Sequence, residues 1–416
     1  PVCPLPAFFV TATPTPSTLA QRRRVILAGI CALILTVGMG RFAYTPMLPI
    51  MSEQAGLSAL AGGWLATLNY AGYMSGVLLA ATVGDLQQKY RLYRYGLLLA
   101  LVSTVGMGLT ENVYLWALLR YIAGFSNIAG LLLASGLVLN WLIRHGFKPE
   151  LGLHFMGMGL GMVVTGVAVA SMVDHLSWQG QWIWLTLLGL LFFVPAWWWM
   201  PAPASMPPAA AGASPAATVT SPGGRWMRLM MGAYFCAGFG FVVTATFIVA
   251  ILLELPLLAG KGNWVWVIAG VAAAPSCFLW DRIAGAMGQV QALLLAYALQ
   301  TLSIILPVFT GSATLNVIGA ILYGVTFVGI VSLTLTLTGR HFPANPAKAM
   351  ARMTVSYGVA QIFAPAMAGT IANATGSYHG ALIVTALVMV LGMGLLLAVL
   401  QEEKRHAQHG RVQVVS

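Results

Sequence analysis

Long apolar runs separated by short polar turns set the pattern along this chain. A helix that crosses about 30 Å of hydrocarbon needs ~20 residues. By that length the pattern predicts twelve helices, at 25–50, 61–84, 92–110, 113–143, 150–174, 180–200, 226–253, 262–281, 286–309, 313–340, 347–373 and 377–400. One connection is longer than the rest. Pro201–Arg225 is rich in Pro, Ala, Ser and Gly, a composition suited to a flexible linker, and it divides the runs into six plus six. The predicted organisation is a tail over 1–24, a six-helix bundle over 25–200, a linker over 201–225, a second six-helix bundle over 226–400 and a tail over 401–416. The fifth run (GMGLGMVVTG) and the eleventh (GVAQIFAPAMAG) echo one another in their small residues, which let membrane helices approach closely.

Composition turns this pattern into a class. Charged residues make up 7% of the chain and hydrophobic ones 59%, whereas a soluble domain is about a quarter charged. So few charges cannot cover a water-facing surface, so most of the surface is expected to face lipid. The net charge of +11 does not point to nucleic acid, because the positive residues lie between the apolar runs. There they set orientation. Apart from Lys261, every Lys and Arg at a run end, in a turn or in a tail falls on one side of the twelve-helix arrangement, which places both tails and the central linker in the cytoplasm. Trp178, Trp182, Trp264 and Trp266 mark one predicted interface and Trp197–Trp199 the other.

The first residues lack the basic start and apolar length of a signal peptide, and residue 1 is not Met, so the natural start is expected to be processed or trimmed. Four cysteines, at 3, 31, 236 and 277, show no CxxC spacing, so neither a disulfide framework nor a metal or other cofactor is expected.

The stretches GRFAYTPMLPIM (40–51), WLATLNYAGYMSG (64–76), RYIAG (120–124), GMGLG (157–161), GVTFVGIVSL (324–333) and YGVAQIFAPAMAG (357–369) span nearly the whole chain. Together they resemble the YbfB/YjiJ-type transporters of the major facilitator superfamily. That resemblance implies an all-α integral membrane protein, two six-helix bundles around a central cavity, working by alternating access. It implies no particular substrate. The turn after the second run departs from the superfamily's usual Gly-x-x-x-Asp-Arg, keeping Asp85 but carrying Leu86 in place of the arginine, whereas the second half keeps Asp281-Arg282. The fifth run lacks the Gly-Pro that resembles the drug–proton antiporter signature.

Arg41 and Arg120 are the two permanent charges predicted to lie deep within apolar runs. A buried arginine costs about 2.5–3.5 kcal/mol on insertion scales, and such groups face a bundle interior or a watery cavity. In the facilitator fold the first and fourth helices both line the central cavity, so the two guanidiniums are expected to converge there. Without an acid beside them they would attract an anion, and the guanidinium fork suits a carboxylate or phosphate. The alternative is structural: Pro46 and Pro49 free the carbonyls of Phe42 and Thr45, and Arg41 satisfies backbone carbonyls and snorkels outward.

Tyr44 and Asn127 share the helical face of the arginine on their own run, and Asn69 and Tyr73 lie four apart on the second run. In the second half Tyr234, Tyr323, Tyr357 and Gln361 are the candidate substrate contacts. His154, the histidine within a run, is the candidate proton carrier. Asp85, Arg144, Asp281 and Arg282 are candidate gate residues, with Asp85 expected to pair with a base such as Arg144.

Gly260-Lys261-Gly262 lacks the spacing of a phosphate-binding loop, which argues against ATP-driven pumping. The expected function is therefore secondary active transport of a small molecule, an organic anion, across a bacterial inner membrane by a monomer, with a co-transported proton or an exchanged anion. The alternative within transport is proton-coupled efflux of drugs or metabolites. A membrane enzyme is the rival from another class, and Asp174-His175, the nearest pair to acid–base chemistry, has no evident third partner.

Overall fold

The structure, a computed structural model, describes residues 16–148, 151–203, 223–253, 262–342 and 346–415. Residues 1–15, most of the linker and Lys261 lie outside them. Every regular element among the described residues is helical. In the first half, α1 (Pro16–Leu33), a π-helical stretch π1 (Ile34–Phe42) and α2 (Tyr44–Ala55) form one rod. They are followed by α3 (Ala59–Thr82), α4 (Leu86–Gly108), a second rod of α5 (Val113–Ile128), π2 (Ala129–Ala134) and α6 (Ser135–Arg144), then α7 (Gly152–Met172) and α8 (Trp178–Trp199). The second half holds α9 (Gly224–Leu253), α10 (Gly262–Ala273), α11 (Ser276–Met287), α12 (Gln289–Phe309), α13 (Ala313–His341), α14 (Pro346–Thr375) and α15 (His379–Val415).

Nine of these rods are long and apolar enough to cross a membrane, and α10 with α11, bent by 49° at Ala274–Pro275, make a tenth. The two that fall short are 24 and 23 residues long. Their polarity has causes: α3 carries Asn69, Tyr70 and Tyr73, and α4 opens on Lys89, Arg91 and Arg94. Helix α1 starts at Pro16 and α15 runs on to Val415, so helix extends into both predicted tails. The added turns are strong helix formers, such as Leu, Ala, Gln and Arg at one end and Glu, Lys and Arg at the other.

Glycine sets how closely the rods meet. A Cβ on Gly124 would stand 1.7 Å from the carbonyl oxygen of Asn69, and one on Gly72 would stand 2.0 Å from that of Tyr121, so α3 and α5 touch backbone to backbone. The two halves meet in the same way. A Cβ on Gly63 of α3 would lie 2.5 Å from the Pro365 carbonyl of α14, and one on Gly159 of α7 would lie 2.6 Å from the Gly270 carbonyl of α10. Thr67 Oγ1 donates to the Ile362 carbonyl at 2.8 Å, and Phe42 sets its ring edge-on to Trp266 at 5.6 Å. Thr45 Oγ1 donates to the Ala245 carbonyl, closing α2 onto α9.

Candidate functional site

The site begins with a fault in the first rod. Over Ile34–Phe42 the backbone is π-helical, and the Ala43 N–H donates to the Gly38 carbonyl, five residues back, at 2.8 Å. Such stretches add a residue to a turn and recur at functional sites. The α-helix restarts at Tyr44, which leaves Pro46 in its first turn, where a missing N–H is tolerated. The extra residue rotates Arg41 relative to Tyr44. As a result, the two arginines exchange the partners that simple helical spacing assigns to them.

Arg41 is 6% exposed and lies between two rings, its guanidinium 4.6 Å from the centre of Tyr70 and 4.7 Å from that of Tyr73. The Asn127 amide takes the orientation in which its oxygen accepts from Arg41 Nε at 2.9 Å and Nη2 at 3.0 Å, while its nitrogen donates to the carbonyls of Ala123 and Thr36. Arg120, 2% exposed, lies 4.3 Å over the Tyr44 ring and donates through Nη1 to the Gly40 carbonyl at 3.0 Å. Asn69 Nδ2 donates to that same carbonyl at 3.1 Å and to the Arg120 carbonyl at 3.0 Å. The Tyr44 hydroxyl donates to the Gly62 carbonyl at 3.0 Å.

Three rods are therefore tied together at Gly40, Asn69, Arg120 and Asn127. Asn127→Leu leaves the Nε–H and Nη2–H of a buried cation without their acceptor. It is expected to lower folding stability by ~3 kcal/mol, read as a fall in melting temperature of the purified protein.

Arg41 and Arg120 line one cavity together with Phe42, Tyr44, Thr45, Ala66, Tyr70, Ala245 and Thr246. Its volume is about 10 Å³, room for one water molecule. Among the described residues no carboxylate lies within ion-pair distance of either guanidinium, and Arg120 Nε has no acceptor.

The family comparison falls on this same frame. Residues 33–397 match the family described as "Uncharacterised MFS-type transporter YbfB". The chain belongs to the YbfB-type family of major facilitator transporters. Among curated proteins it is similar to the "Uncharacterized transporter mfc1" of Schizosaccharomyces pombe, 25% identical over 178 residues, which is 42% of this chain and 36% of that one. The chain thus matches about a third of that relative's length. Among solved structures it is similar to the nucleoside transporter NupG, with a TM-score of 0.69 at 14% identity, covering 91% of this chain and 99% of that one. A bacterial homologue of the human lysosomal transporter Spinster, inward-facing and unoccupied, gives 0.64 at 15% identity and covers 92% and 97%. These likenesses show the fold. The family and its relatives are transporters, which points away from an enzyme.

In this YbfB-type transporter the second-half tyrosine candidates form an aromatic layer that does not line the arginine cavity but reaches its Tyr70 through Phe241. Tyr234 stacks on Tyr357 at 4.4 Å, and Tyr323 donates to the Phe241 carbonyl at 3.2 Å. Phe241 bridges the halves, 6.0 Å from Tyr357 and 6.5 Å from Tyr70. Gln361 is 2% exposed and its Oε1 has no partner. Spacing arguments missed Tyr70, Thr45 and Thr246. Tyr70 carried a usable signal, since it lies three residues before Tyr73 and so shares its face.

The remaining candidates stand apart from the cavity. His154 of α7 is buried, with Nε2 3.0 Å from Ser135 Oγ and its ring packed against Gly29. The Asp85 carboxylate caps α4, accepting from the N–H groups of Gln87 at 3.2 Å and Gln88 at 3.1 Å. Arg144 ends α6 and is exposed. Asp281 and Arg282 are exposed on α11 and form no ion pair among the described residues.

Proposed function

We propose that this transporter carries a small organic anion, bound between Arg41 and Arg120. The observation that supports this reading is two buried guanidiniums lining one cavity, with no carboxylate among the described residues beside them and one N–H left without an acceptor. A buried cation is normally paired, and removing its charge from water costs several kcal/mol. Here the Tyr70, Tyr73 and Tyr44 rings offset part of that cost, each by about 0.5–2 kcal/mol. Those rings and neutral acceptors hold the charges in place without cancelling them. A carboxylate or phosphate would supply the missing acceptor.

At about 10 Å³ the cavity holds a water but no organic anion. Binding therefore requires the halves to part. The Thr45–Ala245 hydrogen bond and the Phe42–Trp266 contact lie on the seam that would open. We read this as alternating access about the α2–α9 seam, with twelve spans, both termini cytoplasmic, in a bacterial inner membrane.

Uptake of radiolabelled mono- and dicarboxylates and of phosphate esters into vesicles reconstituted with the full chain tests this. Accumulation of at least one anion class above protein-free vesicles is expected. Accumulation confined to neutral or cationic compounds would refute the proposal.

A further inference from the structure

A second cavity of about 10 Å³ lies inside the second half, between α9, α12, α13 and α15. Apolar side chains such as Ile248, Ile304 and Leu382 form most of its wall. Three polar side chains break that wall: Thr244, Ser303 and Asn316, which are 4%, 5% and 2% exposed. Thr244 Oγ1, Ser303 Oγ and Asn316 Oδ1 all lack a hydrogen-bond partner. Buried polar atoms are almost always satisfied, so three orphans around one cavity mark a missing ligand.

The orientation of Asn316 sharpens the case. Its Nδ2 donates to the carbonyls of Thr310 and Ser312, each at 2.9 Å, so the amide cannot turn and Oδ1 stays unpaired. A fourth oxygen stands nearby. Pro307, which also lines the cavity, has no N–H for the carbonyl of Ser303 four residues back. That carbonyl lies against Gly319, another lining residue, 3.5 Å from where a Cβ would stand.

We propose that this cavity is a Na+ site built from the oxygens of Thr244, Ser303 and Asn316 and the Ser303 carbonyl, and that transport is coupled to Na+ through it. Hard cations take oxygen ligands, and carbonyls freed from helices coordinate Na+ in membrane transporters. With no carboxylate in the wall, the site suits a single positive charge rather than a divalent ion. A wall of neutral oxygens suits a hard monovalent cation, and Na+ is harder than K+.

Helix α9 links the two sites. Thr244 lines this cavity, while its neighbours Ala245 and Thr246 line the arginine cavity. An ion that fixes Thr244 therefore fixes the strip of α9 against which α2 closes. It also brings a positive charge with each anion and needs no acidic proton carrier. The coupling part of the proposal rests on the anion-transport reading; the binding part stands without it.

The test uses the purified full-length protein, melted in increasing NaCl with choline chloride holding the ionic strength constant. Na+ is expected to raise the melting temperature along a saturating curve, with a smaller effect from K+ and none from choline. Ser303→Ala and Thr244→Val should each weaken the apparent Na+ affinity ~10-fold or more, as loss of a metal-site partner does. Thr244→Ser, which keeps the oxygen, should retain the wild-type curve and serves where Thr244→Val does not fold. Identical curves in Na+ and choline, or a Na+ effect that survives Ser303→Ala and Thr244→Val, would overturn the site.

In vesicles, anion uptake is expected to rise when the Na+ gradient is imposed. Anion uptake indifferent to Na+ overturns the coupling. A Na+ shift without any anion uptake supports the site and counts against the anion reading alone.

Discussion

Arg41→Gln and Arg120→Gln should each lower anion uptake by roughly 10- to 150-fold, while the protein still reaches the membrane and elutes as a single species. A charge-assisted hydrogen bond contributes about 1.5–3 kcal/mol, and every 1.4 kcal/mol is about tenfold in affinity. Folding should survive, because each variant removes a buried charge that no carboxylate among the described residues neutralises. Arg41→Lys should not rescue uptake. A lysine ammonium has no planar face to lie between Tyr70 and Tyr73 and no fork to match the Asn127 oxygen. Initial uptake rates in vesicles at matched protein density provide the check. Wild-type rates in Arg41→Gln would remove this residue from the site.

The second large effect is expected on the fold. Gly124→Ala places a Cβ 1.7 Å from the Asn69 carbonyl oxygen, well inside van der Waals contact. The obstacle is backbone, so no side-chain rotation relieves it. Helices α3 and α5 must move apart, and overpacking of a well-filled interior costs about 1–3 kcal/mol or more. The separation would also draw Asn69 away from the Gly40 and Arg120 carbonyls, which lie 3.1 and 3.0 Å from its Nδ2. The variant should show a lower melting temperature and reduced yield of monodisperse protein. Gly84→Ala, where a Cβ meets nothing within 4 Å, is the matched control and should behave as wild type.

Much of this was legible in the chain itself. The apolar runs correspond to rods in the structure, and a charge inside such a run stands out whatever the fold, which is how Arg41 and Arg120 declare themselves. Asn69, Asn127, Tyr44 and Tyr73 follow from helical spacing and do converge on the arginines. The crossed pairing was not legible. Straight-helix spacing assigns Tyr44 to Arg41 and Asn127 to Arg120, but the π-helical turn over Ile34–Phe42 shifts the phase between Arg41 and Tyr44. Nothing in ILTVGMGRF announces that turn.

The Asp85 cap was hidden for a related reason. An acid beside a run end reads equally as a gate or as a helix N-cap, and only the position of the Gln87 and Gln88 N–H groups shows which bonds it makes. The Na+ cavity was invisible because Thr244, Ser303 and Asn316 are neutral, common in membrane helices and far apart in sequence. Only the fold brings them round one space.

The most direct test of the paired-arginine site compares isosteric ligands on the purified protein. Small carboxylates and their uncharged amides are added at equal concentration to the wild type and to the Arg41→Gln/Arg120→Gln double variant, and melting temperatures are recorded. A carboxylate should raise the wild-type value, its amide should not, and the double variant should respond to neither. Equal stabilisation by acid and amide, or a carboxylate effect that persists without both guanidiniums, would contradict the account.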